Sequence, residues 1–397
     1  MKNTVAFIFG CRSVEHEVSI ISAVQAMRSA DREKFDIVPI YVTKSGEMYT
    51  SEKMFEIEAF RDIKTLLSNS SPVTLIKKGQ DVVLHFLDSK FLSKKKDIVI
   101  NVAFPVVHGT NCEDGTLQGY LEFLGLPYVG CDVLSSAVGM DKAVFKYVMK
   151  SANIPVLDCI CFTAREYAED RSAIIKKAEN EIGYPMIIKP VNLGSSVGIS
   201  KATDQDSLAT SIDLAVSFAD TILIEHAVTA IREINCSVVG DRETCEASVC
   251  EEPFMNDEIL SYEDKYLGGS KSGGASKGMA SLGRKLPADI PDEKSEEIKS
   301  LAVDVFKALG ASGVVRIDFI IDCDTDKVYV NEINTIPGSL SFYLWQESGV
   351  PYKELLNRLI SLAFKRHRNR ENLTFTIDTN ILSGVSFGSK GAKGSKM

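Results

Sequence analysis

The chain has no stretch that approaches the length and apolarity of a membrane span. Its start, MKNTVAFIFG, lacks the long apolar core of a secretory signal. Both absences point to the cytoplasm. There is no excess of positive charge either. Lys and Arg number 45 against 54 Asp and Glu, for a net charge of −9, which argues against nucleic acid or an anionic membrane as the main partner. No CxxC pair occurs among the nine cysteines, and their number is odd, so neither a zinc site nor a complete disulfide framework is expected. Most lie in apolar runs such as DCICF and EINCSVVG, where they read as small buried hydrophobes in a reducing compartment. GxxxxGK[ST] is missing, which excludes a Walker P-loop. A Ser-His-Asp hydrolase built from Ser19, His108 and Asp114 lacks a nucleophile elbow around Ser19.

What is present divides by pattern. The chain has 397 residues, too many for one compact core, and suggests two or three domains. In the first third, Val5–Phe9, Asp36–Tyr41 and Asp97–Phe104 read as strands, with a helical pattern after Gly10 running to about Ala30. That alternation fits a parallel sheet flanked by helices. Residues 44–96 give no clear pattern. A domain change is expected near 125–135. Helices are expected over Ser136–Ala152, Arg165–Ile182, Pro291–Leu309 and Tyr352–Arg366. Strands are expected at Pro155–Phe162, Met186–Pro190, Ile199–Ala202, Ile222–Glu225, Arg232–Val239, Val314–Ile321 and Lys327–Ile333. Pro253–Pro287 is long and polar, with five glycines between Gly268 and Gly278. A segment of that kind is usually an active-site lid or a linker. The tail GSKGAKGSKM is low in complexity and reads as disordered.

Chemistry concentrates in a few places. In RIDFIID, Arg316 and Asp318 are two apart on a strand and share a face. Glu332 and Asn334 in VYVNEIN do the same. Oxygen ligands from Asp318, Glu332 and Asn334 suit Mg²⁺, which bridges nucleotide phosphates, although a structural ion pair explains such a cluster equally well. Lys189 ends the apolar strand of YPMIIKP, and a Gly-Ser loop containing Ser195 and Ser196 follows. Successive backbone N–H groups in such a loop can hold phosphate oxygens, though a plain hairpin has the same composition. Glu225 and Glu233 could accept hydrogen bonds from a ribose. FGCRSVEHEVSI and FPVVHGTNCEDGTLQG place Glu15, His16, His108, Glu113 and Asp114 after strand ends, where open α/β sheets bind ligands.

Taken together, PVVHGTNCEDGTLQG, PYVG with SSAVGMDK, KP with GSSVG, YEDKY, and RIDF with NEINTIPG resemble the D-alanine–D-alanine ligases of the ATP-grasp superfamily, in order from Val5 to about Leu340. The resemblance implies an open parallel α/β sheet domain over 1–130, followed by a two-part ATP-grasp fold. Its central part would cover 131–225 and its C-terminal part 226–370, with a lid at 253–287 and a tail at 371–397. It implies ATP and two Mg²⁺ ions, a role Mn²⁺ can also fill, D-alanine as substrate, and a homodimer. One D-alanine carboxylate would attack the γ-phosphate, and the amine of a second would displace phosphate from the acyl phosphate. Glu15 would bind the first ammonium, near His108, with Ser195 and the lid residue Tyr266 closing that site. Lys142, Lys189 and the lid residue Lys265 would hold phosphates, with Ser196 in the Gly-Ser loop, while Glu225 and Glu233 would lie near adenine and ribose. Asp318, Glu332 and Asn334 would hold metal. Arg316 and the Gly338 N–H would stabilise the oxyanion.

The chain departs from the family's pattern at Cys11, Cys112 and Ile231, which are usually glycines. It departs again in PGSLSFYLW, where Phe342 and Tyr343 stand in the usual His-Ser positions. Tyr343 is therefore expected at the second substrate's carboxylate, and D-serine or another amine is an alternative to D-alanine there. The YEDKY lid is similar to that of D-alanine-using members.

Overall fold

The computed structural model describes residues 2–87, 95–194, 197–253, 283–377, 379–380 and 382. The first unit contains β1 (Asn3–Gly10), α1 (His16–Ser29), β2 (Phe35–Val42), β3 (Met48–Thr50), α2 (Ile63–Ser68), β4 (Ser71–Lys78), β5 (Asp81–Phe86), β6 (Ile98–Ile100), β7 (Val102–Val106) and α3 (Thr116–Leu124). Its seven strands follow the order β6-β5-β4-β3-β2-β1-β7. β1 is parallel to β2 and to β7, which makes the expected parallel centre. Successive pairs from β2 to β6 are antiparallel, so the sheet is mixed. Strands β3–β5 come from the stretch that carried little pattern, where β3 has only three residues, and the strand expected over Asp97–Phe104 is two, β6 and β7. β1 is buried from Val5 onward, as a parallel strand covered on both faces must be, with Phe7 stacked on Phe104 at 4.7 Å.

Next come α4 (Val133–Met140), α5 (Lys142–Ser151), β8 (Cys159–Thr163), α6 (Ala164–Glu169), α7 (Arg171–Glu181), β9 (Met186–Pro190), β10 (Ser200–Ala202), α8 (Gln205–Ala215) and β11 (Thr221–His226). The four strands form an antiparallel sheet ordered β10-β9-β11-β8. Two helices expected to be continuous are broken. Asp141 ends α4 and caps α5, its carboxylate accepting from the N–H groups of Ala143 and Val144 at 3.0 Å each. That break turns Lys142 out of the helical run at the first position of α5. Asp170 makes the corresponding break between α6 and α7.

The last unit holds β12 (Ile231–Gly240), β13 (Cys245–Pro253), β14 (Arg284–Lys285), α9 (Asp292–Leu309), β15 (Gly313–Asp322), β16 (Lys327–Asn334), α10 (Phe342–Glu347) and α11 (Tyr352–Glu371). Its sheet runs β14-β13-β12-β15-β16, antiparallel throughout. α9 presents Ile298, Ala302, Val305, Phe306 and Leu309 at helical spacing and covers one face of this sheet. Val315, Ile317, Phe319 and Ile321 point into that core, each buried side chain contributing about 1.5–3 kcal/mol. The period of two then obliges Arg316 and Asp318 onto the opposite face. α11, expected to belong to this unit alone, packs Leu355, Leu356, Leu359, Ile360 and Ala363 into the core of the first sheet. Among the described residues no helix is long and apolar enough to cross a membrane.

Candidate active site

The uncovered face of the last sheet collects the polar side chains. Ser237 and Asn235 on β12 stand opposite Arg316 and Asp318 on β15, which stand opposite Asn334 and Glu332 on β16. A bulge makes this register. Val328 and Val330 point into the core, and so does Ile333, because the ladder slips one residue at Asn331. Without that extra residue Glu332 would share the buried face of Val330. Arg316 grips Asp318 with two parallel hydrogen bonds of 2.6 and 2.7 Å, and Asn334 Nδ2 donates to Asp318 Oδ2 at 3.1 Å. Burial pushes the Asp318 carboxyl above its ordinary range against the pull of Arg316, with Glu332 and Glu251 adding to the rise.

The three expected metal-binding residues are thus neighbours on two strands. Among the described residues no group of three or more His, Cys, Asp or Glu converges as a metal site. Two carboxylates and an amide form an incomplete oxygen set. Such a set suits Mg²⁺ that shares its remaining ligands with phosphate.

The lysines lie beside this face. Lys142 Nζ is 3.3 Å from Glu332 Oε2 and donates to the Leu193 carbonyl at 2.8 Å. Lys189, on β9, pairs with Glu225 and donates to Asn331 Oδ1 at 3.2 Å. The bulge residue therefore ties the central sheet to the last one. Burial works against the Lys189 charge, but Glu225, Glu332 and Glu233 outweigh it and hold its ammonium above the ordinary range. Glu225 differs from its expectation as a nucleotide acceptor. It is 1% exposed, with one oxygen on Lys189 and the other 2.7 Å from Lys146 Nζ in a close ion pair rather than an aligned hydrogen bond. Burial opposes its charge, yet Lys189 and Lys146 hold its carboxyl down at about 2. Lys146 was not singled out from sequence, since a lysine in mid-helix normally faces water.

The first-substrate corner is built from loops that end strands. Glu15 precedes α1 and is buried; a Cβ on Gly109 would come within 2.6 Å of its Oε2, and one on Gly194 within 3.0 Å. Glycine at both positions is what allows the two loops to close on the carboxylate. Cys11, at φ +72°, adopts the left-handed conformation that explains why glycine is usual there. Glu113 accepts from Gly109 N at 2.8 Å and Ile336 N at 2.9 Å. Burial and the nearby Glu15 raise its carboxyl to about 8. His108 donates from Nδ1 to the Ile336 carbonyl at 2.8 Å, a role only a protonated Nδ1 can fill, and receives the Ser22 hydroxyl on Nε2 at 3.1 Å. Burial drives its value down to about 4, so the ring is neutral. Ser19, the hydrolase candidate, instead donates to the Val106 carbonyl and accepts from Gly10 N. A cleft of about 50 Å³ joins Glu15, Glu113, Lys142, Gly194, Glu332 and Asn334. A larger groove of about 720 Å³ beside α11 contains none of the expected site residues.

After Gly338 the chain makes a left-handed turn. Ser339, Leu340 and Ser341 have φ of +50°, +54° and +50°, a conformation costing roughly 1–2 kcal/mol per residue other than glycine. Ser22 Oγ receives Ser339 N at 3.0 Å, Ser339 Oγ donates to Gln25 at 2.8 Å, and Leu340 is buried. The strain sits where the oxyanion donor is expected. Beyond it, Tyr343 is 8% exposed and donates its hydroxyl to Glu251 Oε1 at 2.9 Å, instead of presenting it to the cleft as expected. Neither Glu251 nor Arg284, which lies over the Tyr343 ring, was flagged by sequence. Ser195, Ser196, Lys265 and Tyr266, with most of the proposed lid, lie outside the described residues.

The geometry brings acid, lysine and amide side chains from three units of the chain to one cleft. Residues 4–131 match the family model "D-ala D-ala ligase N-terminus", and residues 148–361 match "D-ala D-ala ligase C-terminus". The chain belongs to the D-alanine–D-alanine ligase family. It is 39% identical to the D-alanine–D-alanine ligase of Thermosipho melanesiensis, over 95% of this chain and 98% of that protein. With its counterpart from Caldicellulosiruptor bescii it shares 40% identity, over 94% and 99% of the two chains. Among solved structures it is similar to the D-alanine–D-alanine ligase of Coxiella burnetii, with TM-score 0.76, 29% identity, and 93% and 96% of the chains covered. It is equally similar to the VanG D-Ala:D-Ser ligase of Enterococcus faecalis, with TM-score 0.76, 32% identity, and 91% and 100% covered. The central and last sheets are the two parts of the family's ATP-grasp fold. Membership implies small-molecule substrates, use of ATP and dependence on a divalent metal.

Proposed function

We propose that this ligase joins two D-alanines into D-alanyl-D-alanine for peptidoglycan precursor synthesis, with ATP converted to ADP and phosphate. The observation that carries the reading is the single cleft shared by Glu15, Lys142, Glu332 and Asn334, with Arg316 on the same sheet face. We assign 1–130 to the first substrate, and 131–225 and 226–370 to the two parts that hold nucleotide.

In this reading Glu15 takes the ammonium of the first D-alanine, and neutral His108 holds the adjoining loop. Lys142 and Lys189 neutralise phosphate oxygens, with Ser196 and Lys265 assigned to the same task. Ser195 and Tyr266 close the first subsite, and Glu233 takes the ribose. Glu225 serves Lys189 as counter-ion. Asp318, Glu332 and Asn334 would hold Mg²⁺, which supplies charge neutralisation at the transferring phosphoryl group. A carboxylate oxygen of the first D-alanine attacks the γ-phosphorus, and ADP leaves. The amine of the second D-alanine then attacks the acyl carbon, and the carbonyl oxygen becomes an oxyanion facing Arg316 and the Gly338 N–H. Phosphate leaves as the carbonyl reforms, and the amine gives up its proton.

A second reading has D-serine in place of the second D-alanine. It is favoured by Tyr343, which alters the second subsite, and by the similarity to VanG, the D-Ala:D-Ser ligase of Enterococcus faecalis. The use of ATP and nine free thiols support a cytoplasmic location, and the family resemblance supports a homodimer. The deciding experiment measures ATP-dependent phosphate release with D-alanine alone, then with D-serine or D-lactate added. Release with D-alanine alone and a dipeptide product supports the first reading. Release that requires D-serine supports the second, and no release with any of them refutes both.

A further inference from the structure

The far end of the polar sheet face carries a constellation that the reaction just described leaves unused. Glu251, on β13, is 2% exposed. Three donors converge on its carboxylate: the Tyr343 hydroxyl at 2.9 Å and Asn235 Nδ2 at 3.0 Å on Oε1, and Arg284 Nη1 at 2.7 Å on Oε2. The Arg284 guanidinium lies 4.1 Å above the centre of the Tyr343 ring. Ring, guanidinium and carboxylate are thus fixed as one unit by stacking and by charge-assisted hydrogen bonds. Asn235 pairs with Glu251 on one side and Asp318 on the other, so the face runs from Glu332 through Asp318 and Asn235 to Glu251.

A phenol hydroxyl has one hydrogen to donate. Tyr343 spends it on Glu251, and so offers an incoming carboxylate only lone pairs, which repel it. The carboxylate of the second amino acid needs a donor elsewhere at this end. The two cations that act on Tyr343 are Arg316 and Arg284, and Arg316 is engaged by Asp318 and assigned to the oxyanion. A guanidinium has two edges and can hold two carboxylates at once. We propose that Arg284 is the specificity-determining residue of the second subsite, binding the free α-carboxylate of the attacking amino acid while Tyr343 and Glu251 position it. This rests on the ligase reading above. It deepens that reading by naming the group that is recognised: an α-carboxylate, which D-alanine and D-serine share and which a carboxamide lacks.

The test uses the full-length enzyme with D-alanine, and with D-alaninamide as a competing acceptor; the dipeptide and its amide are quantified by mass. Arg284→Met raises the KM for the second D-alanine roughly 10- to 100-fold, the scale of one lost charge-assisted hydrogen bond, with a smaller change in kcat. The preference for D-alanine over D-alaninamide falls by the same factor. Arg284→Lys recovers part of both, and Tyr343→Phe keeps KM within about 3-fold because the stacked ring remains. ATP binding measured by calorimetry is unchanged. A structural role alone would leave the amide preference intact. Glu251→Gln combined with Arg284→Met removes the buried charge along with its partner, so that double variant folds and still shows the lost preference. A wild-type KM and a wild-type amide preference in the Met variants would overturn the assignment, as would a Tyr343→Phe enzyme as impaired as Arg284→Met. Failure of the unmodified enzyme to release phosphate would instead overturn the ligase reading, and this assignment with it.

Discussion

Replacing Lys146 by Met removes a cation from a place that water does not reach. Its ammonium lies between Glu225 Oε2 at 2.7 Å and the Leu157 carbonyl at 3.2 Å, and the residue is 1% exposed. Glu225 is held at about 2 against an ordinary value of 4.5, with Lys189 the larger cause and Lys146 the next. At 1.36 kcal/mol per pH unit that difference corresponds to ~3 kcal/mol for the assembled trio. Removing one partner of a buried ion pair also leaves the other uncompensated, at about 3–5 kcal/mol. Lys146→Met is therefore expected to lose about 3 kcal/mol in urea unfolding followed by circular dichroism. Glu225→Gln placed on the same background should add little to that loss, because the charge that Lys146 served is gone. The folded value of Glu225 lies below its unfolded one, so this stability is complete above pH 4.5 and disappears as pH falls toward 2. In Lys146→Met the fall should be smaller and should end at a higher pH, because the folded value moves back toward 4.5. A loss under about 1 kcal/mol, or full additivity with Glu225→Gln, would refute the argument.

Glu332→Gln keeps shape but removes a carboxylate assigned to Mg²⁺; most turnover should vanish while stability changes by less than about 1 kcal/mol, since the Lys142 contact is long at 3.3 Å and the Glu332 side chain is about one-third exposed. His108 is pushed down to about 4 from 6.5, so its stability contribution is complete above pH 6.5 and declines toward pH 4, by ~3 kcal/mol in all. Comparing unfolding against pH for the unmodified protein and His108→Gln should show that decline only in the former. Ser341→Gly should stabilise the fold by about 1 kcal/mol, because it relieves a left-handed residue other than glycine. The same change removes a buried hydroxyl that has no partner among the described residues. A midpoint in urea lower than that of the unmodified protein would contradict that expectation.

The chemistry was legible in sequence wherever it is local. RIDF and NEIN alternate charged and apolar residues, and a strand has only two faces, so the alternation announces a polar face before any coordinates exist. MDK and KP mark lysines at the ends of elements. PVVHG and FGCRS mark loops at strand ends, where an α/β sheet binds its ligands. The family motifs follow from the same residues, in order along the chain. The stretch 44–96 was not legible. β3 has only three residues with which to display a period and pairs with β4 well along the chain, Met48 opposite Val73, while β4 and β5 form a local hairpin with Lys78 opposite Asp81.

Other features depend on what each side chain meets across the fold. Lys146 reads as an ordinary helical lysine until β11 sets Glu225 against it in the absence of water. The parity of β16 reads wrongly without the bulge at Asn331, which is set by pairing with β15 and turns Glu332 to the site. Tyr343 reads as a carboxylate contact until β13 and β14 bring Glu251 and Arg284 to its hydroxyl and ring. The sequence by itself determined which elements form and which residue types they carry, because period, caps and glycines act within a few residues. Only the tertiary structure decided the partners and charge states of Glu225, Glu113, His108 and Tyr343. Burial and the nearest opposite charge set those, and both are contributed by segments far away along the chain.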